Sequence, residues 1–168
     1  MPQTNAFATL TFAEESLTAI RTELEPFLDD YYREVSCLKD TAPLDPDWDR
    51  YAILESIGMV LCLTARTEEG TLVGFFQAIM GKHFHSKEAR CAFSDGFYLC
   101  PAYRGGQGGW FLRAIFAALM QHDMQHLFLA TTLIHDLDTF YRRNGLAPFE
   151  RVYYRHLEGK PSWQSPQG

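Results

Sequence analysis

The spacing of hydrophobic residues changes twice along the chain, and these changes predict a mixed α+β fold. Three apolar segments at 59–65, 71–80 and 89–100 are typical of strands, and Glu68-Glu69-Gly70 forms a turn between the first two. Apolar residues then recur at helical spacing: Phe111, Leu112, Ile115, Phe116, Leu119 and Met120. That pattern predicts an amphipathic helix over 108–125 after a meander of three strands.

The rest of the chain predicts shorter elements. We expect a strand at 8–12, a helical stretch at 16–36 interrupted at Pro26, and a strand at 127–132. Asp45-Pro46 suits a helix start, since aspartate caps and proline fits the first turn, and Gly58 ends that helix. A helix over 136–144, ending at Gly145, and a final strand at 149–157 complete the order.

This order predicts an α+β fold with a mostly antiparallel central sheet of about six strands, flanked by helices. A strand, a helix and another strand follow the meander, so one strand pair must be parallel. With 168 residues, of which 46% are hydrophobic, the chain can bury one core, and we expect a single domain over 1–158. The proline- and serine-containing residues 159–168 are expected to form a flexible tail.

Charge and cysteine content narrow the class of protein. The formal net charge of −6, from 21 acidic and 15 basic residues, argues against direct nucleic-acid binding and favours a cationic substrate such as an amine. The four cysteines form no C-x-x-C pair, and no signal peptide or long apolar run is present. We therefore expect reduced thiols, a cytoplasmic location and no membrane association.

A glycine cluster between the third strand and the long helix suggests a phosphate-binding turn. Gly105, Gly106, Gly108 and Gly109 follow Arg104, where a backbone without side chains could approach a ligand beside a helix N-terminus. A Walker loop is disfavoured because no lysine followed by serine or threonine is present. A Rossmann fingerprint is disfavoured because the meander comes first. A glycine-rich surface turn without a ligand remains the alternative.

Two segments together resemble the GNAT N-acetyltransferases. The residues from Asp95 through the helix resemble the family's R/Q-x-x-G-x-G/A loop, and Phe140-Tyr141-Arg142-Arg143-Asn144-Gly145-Leu146 resembles its C-terminal tyrosine segment. The resemblance implies acetyl-CoA as co-substrate. Its pyrophosphate would lie against Arg104, Gly105, Gly106, Gln107, Gly108 and Gly109, although Gln107 stands where the family has a glycine. Its pantetheine arm would pair with Phe97, Tyr98 and Leu99, where the parallel strand pair splays apart.

The resemblance also implies catalytic residues. Tyr141 would be the general acid for the departing thiolate; its spacing alone also fits a packed aromatic residue. Asp95, upstream on the CoA-binding strand, is the best candidate for the base that deprotonates the amine. As a lone carboxylate at a strand start, Asp95 could instead be a solvated or capping residue.

The acceptor side is less defined by the sequence. We expect Tyr32, His83 and His85 to contribute to it, and Tyr31, Trp48 and Tyr51 could line an aromatic pocket or belong to the core. His83 and His85 lack a third residue spaced to complete a metal site, so no metal is expected.

The expected function is acetyl transfer from acetyl-CoA to a primary amine by direct attack in a ternary complex. The amine could belong to a small molecule, a protein lysine or a protein N-terminus. The alternative is a catalytically silent GNAT-like protein that binds CoA or a protein partner. Tyr32-Arg33-Glu34-Val35, residues 43–48 and His83-Phe84-His85 resemble a phage and prophage subgroup, which implies action in a host cytoplasm. The family also implies a homodimer formed through C-terminal strands.

Overall fold

The structure is a computed structural model that describes residues 9–36, 38–39 and 42–155. Its five strands are β1 Thr11–Glu14, β2 Val60–Arg66, β3 Leu72–His83, β4 Ser86–Leu99 and β5 His126–Phe128. Its helices are α1 Arg21–Val35, α2 Trp48–Ser56, α3 Arg104–Gln121 and α4 Asp138–Arg143, with a 3₁₀ turn at Pro101–Tyr103 before α3. The predicted α+β class is confirmed.

The five strands form one sheet in the order β1-β2-β3-β4-β5. The first three pairings are antiparallel and β4 pairs with β5 in parallel, as the strand order predicted. The β3–β4 register slips where Gln77 pairs with Gly96 and Ala78 with Ser94, so Asp95 is an extra residue on β4. Such a bulge bends the strand and redirects a side chain.

Helices cover both faces of the sheet, because alternate strand residues are apolar on each side. On one face, Leu61, Leu63 and Phe76 pack with Phe111, Leu112 and Ile115 of α3. On the other face, Cys62, Phe75 and Tyr98 pack with Leu24 of α1, and Tyr51 of α2 lies at the edge of that cluster. The end of β4 is thus held between two helical layers.

Several predicted boundaries differ from the structure, and the clearest differences are in α1, β5 and the final strand. α1 continues through Pro26 rather than breaking there; the proline is six residues into the helix, and Leu24 beside it is fully buried. β5 spans only three residues of the predicted 127–132. The predicted strand at 149–157 is not formed over 149–155, where Phe149 is 81% and Val152 86% exposed. Residues 156–157, like the predicted tail at 159–168, lie outside the described residues.

Candidate active site

The two parallel strands separate beyond a short paired stretch. Pairing between β4 and β5 ends at Phe93 and Phe128, and the last link is a hydrogen bond of 3.1 Å from the Ala130 N–H to Ser94 Oγ. The Cys100 N–H donates to the Val73 carbonyl of β3 at 2.8 Å. Since successive N–H groups of a strand point to opposite sides, those of Phe97 and Leu99 face the opening. The opening therefore offers an unpaired strand edge.

The bulge places Asp95 at the start of this opening. The Tyr51 hydroxyl donates a short hydrogen bond to Asp95 Oδ2, and the Tyr31 hydroxyl donates to the Asp95 backbone carbonyl at 3.3 Å. Two helices on the same face of the sheet therefore fix this one residue. Burial raises the pKa of Tyr31 to about 12, with a smaller contribution from the Asp95 charge. Tyr31 therefore remains a hydroxyl donor at neutral pH.

Tyr141 reaches the same opening from α4. The residue is only 7% exposed, and its hydroxyl donates to the Ala130 carbonyl at 3.3 Å. Burial raises the Tyr141 pKa well above its usual range, with a smaller effect from nearby Tyr31, so the hydroxyl is protonated at neutral pH. A protonated phenol can act as the general acid that gives its proton to a departing sulfur atom as negative charge develops there.

Asp95 and Tyr141 line one pocket with a cavity volume of about 80 Å³. The other lining residues are Tyr31, Val35, Ser94, Gly96, Phe97, Ala130, Thr131, Thr132, His135 and Leu137. The structure therefore brings the predicted acid and the predicted base together with Phe97, at the point where the strands separate. Tyr98 and Leu99 lie further along β4; Tyr98 packs on the α1 face and Leu99 on the α3 face.

The glycine loop has two parts that differ in backbone conformation and in surroundings. Gly105 and Gly106 are not helical, and Gly106 has φ +115°, a conformation that L side chains rarely adopt. The helical turns of α3 begin after Gly106. A Cβ atom at Gly108 would contact the Phe140 ring at 3.5 Å, and one at Gly109 would lie 3.4 Å from Asn144 Oδ1. Both distances are ordinary van der Waals contacts, so these two glycines lie against α4, the helix that carries Tyr141, where only a side chain longer than a methyl group would crowd the contact.

The side chain of Arg104 is engaged within the protein. Its guanidinium binds both carboxylate oxygens of Glu34, at 2.6 and 2.8 Å, and its Nε donates to the Leu99 carbonyl at 2.7 Å. The guanidinium also lies 5.4 Å from the centre of the Tyr98 ring. The hydrogen bonds from Arg104 lower the Glu34 pKa. The structure thus ties Arg104 to α1, whereas the sequence resemblance assigned it to a pyrophosphate.

Three residues predicted for the acceptor side lie away from this pocket. The Tyr32 hydroxyl donates a short hydrogen bond to the Ala42 carbonyl, and its neighbour Tyr31 lines the pocket instead. His83 and His85 lie at the β3–β4 turn with their ring centres 5.7 Å apart. Nine strand residues separate that turn from Asp95, or roughly 30 Å at about 3.3 Å per residue.

Sequence reasoning missed two residues that organise the site. Glu34 holds Arg104 and also lies 3.1 Å from His135 Nδ1, so it joins α1, the glycine loop and the turn after β5. Ser94 closes the end of the strand pair. Single acidic or hydroxyl residues at these positions do not change the hydrophobic periodicity, so the sequence gives no sign of their contacts. Glu34 entered the sequence analysis only as part of a segment that resembles a family subgroup.

Cys62 and Cys91 are buried, and burial raises the Cys62 pKa to about 12, which disfavours a reactive thiolate there.

Within the described part of the chain, no group of three or more histidine, cysteine, aspartate or glutamate side chains is arranged to hold a metal ion. None of the helices in residues 9–36, 38–39 and 42–155 is both long and apolar enough to cross a membrane.

Several solved structures with a similar fold are acetyltransferases. A ribosomal-protein-alanine N-acetyltransferase from Brucella melitensis superposes with a TM-score of 0.68 at 22% identity, covering 90% of this chain and 99% of that one. An aminoglycoside 6'-N-acetyltransferase from Acinetobacter baumannii gives 0.65 at 14% identity, with 90% and 100% covered. A predicted acetyltransferase from Clostridium acetobutylicum, solved with acetyl-CoA, gives 0.62 at 11% identity, with 88% and 96% covered.

The chain therefore has the GNAT N-acetyltransferase fold. No protein-family profile matches it, and no curated protein matches it by sequence. The structural likeness gives no support for the phage and prophage subgroup, which stays a prediction from the sequence.

Proposed function

We propose that the protein is an acetyl-CoA-dependent N-acetyltransferase that acts on a primary amine. The observation that carries the proposal is the shared pocket of Asp95 and Tyr141 beside the open edge of β4. A carboxylate and a protonated phenol on one pocket supply the two proton transfers that amide formation from a thioester requires. The GNAT fold of the chain adds independent support.

Acetyl-CoA would be held by backbone groups more than by charge. The open N–H groups of Phe97 and Leu99 suit an extended amide chain such as pantetheine, which would add to the sheet like a further strand. The bare turn at Gly105 and Gly106, next to the first turn of α3, suits a pyrophosphate. Arg104 would act by fixing the loop against Glu34, and the Leu99 carbonyl is already occupied by Arg104 Nε.

In the proposed reaction, the neutral amine nitrogen attacks the thioester carbonyl carbon. A carbon–nitrogen bond forms, the carbon–sulfur bond breaks, and the thiolate takes the proton of the Tyr141 hydroxyl. Asp95 accepts the proton that the amine nitrogen loses, and exchange with water restores both groups. The balanced products are the amide and CoA with a free thiol.

The acceptor class is tested by a panel of amines with acetyl-CoA, followed by intact mass and thiol release. The panel should contain a peptide with N-terminal alanine, a lysine-containing peptide, glucosamine 6-phosphate and the aminoglycoside sisomicin. Transfer to one of them that is lost in Asp95→Asn and Tyr141→Phe supports the proposal. Tight acetyl-CoA binding without transfer to any amine favours the alternative.

That alternative is a catalytically silent protein that binds CoA. The observation favouring it is the pairing of Arg104 with Glu34, which leaves this arginine without the pyrophosphate role implied by the sequence. Gln107, in the place of a family glycine, points the same way.

A further inference from the structure

The carboxylate of Asp95 is held from outside the pocket by a tyrosine of α2. Asp95 lines the pocket and Tyr51 does not, while the Tyr51 hydroxyl donates to Asp95 Oδ2. The carboxylate therefore has one oxygen bound to Tyr51. Asp95, the bulged residue of β4, is thus held by α2, a helix that is distant in sequence.

The ring of Tyr51 is itself fixed by its surroundings. Asp47 caps α2 by accepting the Arg50 N–H at 3.0 Å, which sets where the helix begins. The Trp48 ring lies 5.9 Å from the Tyr51 ring, and the Arg21 guanidinium lies 4.9 Å over Trp48. These contacts orient Tyr51 toward Asp95.

Tyr51 is suited to donate rather than to accept. Burial and the hydrogen bond to Asp95 raise its pKa above the usual tyrosine range, so the phenol keeps its proton at neutral pH. A hydrogen bond donated to a carboxylate favours its ionised form, which is the form a general base needs. Gln77, buried on β3 beside Tyr51, is a further polar group on this side.

We propose that Tyr51 is a positioning residue for the amine-acetylation reaction: the hydrogen bond from its hydroxyl to Oδ2 keeps the Asp95 carboxylate turned to the pocket. This inference rests on the proposed function, because it assigns Tyr51 a task in that reaction. Tyr51 does not contact the reacting atoms; it acts only through Asp95.

Other titratable groups face Asp95 and must be separated from Tyr51 in any pH measurement. Tyr31 of α1 bonds the Asp95 backbone carbonyl, and Tyr141 of α4 and His135 line the same pocket. Glu34 reaches the site through His135. A pH profile of the enzyme therefore needs a comparison in a His135→Gln background.

The first arm of the test requires no catalysis. Carbon-13 NMR follows the titration of the Asp95 carboxyl in the wild type, in Tyr51→Phe and in Ser56→Ala. Ser56 lies on the same helix, and its hydroxyl bonds the Ile53 carbonyl instead. Because the variant loses a hydrogen bond donated to the carboxylate, we expect the Asp95 midpoint to rise in Tyr51→Phe and to stay in place in Ser56→Ala. An unchanged midpoint in folded Tyr51→Phe would overturn the proposal.

Wild-type protein provides the same test should Tyr51→Phe fail to fold. The Tyr51 Cζ resonance should then shift with the midpoint of the Asp95 carboxyl, and this response should vanish in Asp95→Asn. Independent behaviour of the two resonances would overturn the link.

The second arm measures kinetics with the panel amine that gives the highest turnover. Tyr51→Phe should lower kcat about tenfold and move the acid limb of the pH profile to higher pH, in both the wild-type and His135→Gln backgrounds. Acetyl-CoA affinity should not change. Wild-type kcat and pH profile in Tyr51→Phe, with Asp95→Asn inactive, would overturn the positioning role alone. Activity unaffected by Asp95→Asn would overturn the proposed base itself.

Discussion

Both carboxylate oxygens of Glu34 bind the guanidinium of Arg104, at 2.6 and 2.8 Å, across 70 residues of sequence. The pair joins α1 to the first residue of the glycine loop. Because Glu34 also contacts His135, three separate segments meet at one carboxylate. The arginine that resembles a phosphate ligand is therefore part of the frame around the site.

Removing this carboxylate should loosen the frame. We expect Glu34→Gln to lower the free energy of unfolding by about 1–2 kcal/mol, because the partly buried guanidinium loses a charged, two-point partner. Asp30→Asn is the matched control, since it removes an exposed pair with Arg33 on the same helix and should cost less than about 0.5 kcal/mol. Urea unfolding measures both. Equal losses in the free energy of unfolding would mean that the Glu34 pair stabilises the fold no more than the exposed pair does.

The Glu34 pair should also give a defined pH dependence. The pKa of Glu34 is lowered in the folded protein. The contribution of the pair to the free energy of unfolding is therefore complete above the unfolded glutamate pKa of about 4.3, and it is lost as the pH falls through the folded pKa. In a His135→Gln background, which removes the imidazole that contacts Glu34, the effect of Glu34→Gln on the free energy of unfolding should therefore be constant from pH 7 to about pH 5 and shrink below that. Denaturant unfolding at a series of pH values measures the difference. A gap that widened on acidification would contradict the assignment.

The glycine loop can be tested against a turn of similar conformation elsewhere. Gly106 and Gly70 both have positive φ, +115° and +85°, with open space where a Cβ would stand. Alanine at either position should destabilise the fold by about 1–2 kcal/mol. Only Gly106→Ala should weaken acetyl-CoA binding, by about tenfold, as measured by calorimetry. Equal acetyl-CoA affinity in the two variants would remove the loop from the cofactor site.

Gly109 needs a different interpretation from the one that its place in the loop suggests. Its missing side chain would point toward Asn144 of α4, so Gly109→Asp should disturb the α3–α4 contact and hence Tyr141. We expect this variant to lower stability as well as acetyl-CoA binding, since a carboxylate would crowd an amide oxygen. Thermal unfolding with and without acetyl-CoA separates the two effects. Wild-type stability with abolished binding would show that the residue faces the ligand instead.

Tyr141→Phe should lower turnover much more than affinity. The hydroxyl is the proposed proton donor to the thiolate, and its loss should reduce kcat about 100-fold while the acetyl-CoA Kd changes less than about twofold. Tyr153→Phe, at an 83% exposed tyrosine, is the control and should behave as wild type. A Tyr141→Phe enzyme with full activity would end the assignment of this residue as the acid.

The sequence predicted the fold class well because periodicity records which face of each element is buried. Nearly continuous apolar runs located β2, β3 and most of β4, because both faces of the central strands are buried, and helical spacing located α3. Boundaries were less accurate where a single residue decides them, as at Asp123, whose φ of +57° follows the end of α3. The final strand is not formed over 149–155, where the apolar side chains that suggested it are exposed, so that burial does not favour its pairing with the sheet.

The site was predicted in part, and the gaps have physical causes. Asp95 and Tyr141 could be named from a family resemblance, and the structure brings them to one pocket. The bulge at Asp95 depends on strand register, and the Glu34–Arg104 pair depends on how α1 packs; neither leaves a local signal. Which of Tyr31 and Tyr32 lines the pocket depends on how α1 is rotated about its axis. The expected break at Pro26 left that rotation undefined.

The central claim is that the pocket of Asp95 and Tyr141 transfers an acetyl group to an amine. The most direct measurement is acetyl transfer from acetyl-CoA to the amine panel, followed by product mass, in the wild type, Asp95→Asn and Tyr141→Phe. The account predicts an acetylated product of at least one amine in the wild type and a loss of about 100-fold or more in both variants. Tight acetyl-CoA binding with no acetylated product, or transfer that survives both substitutions, would contradict it.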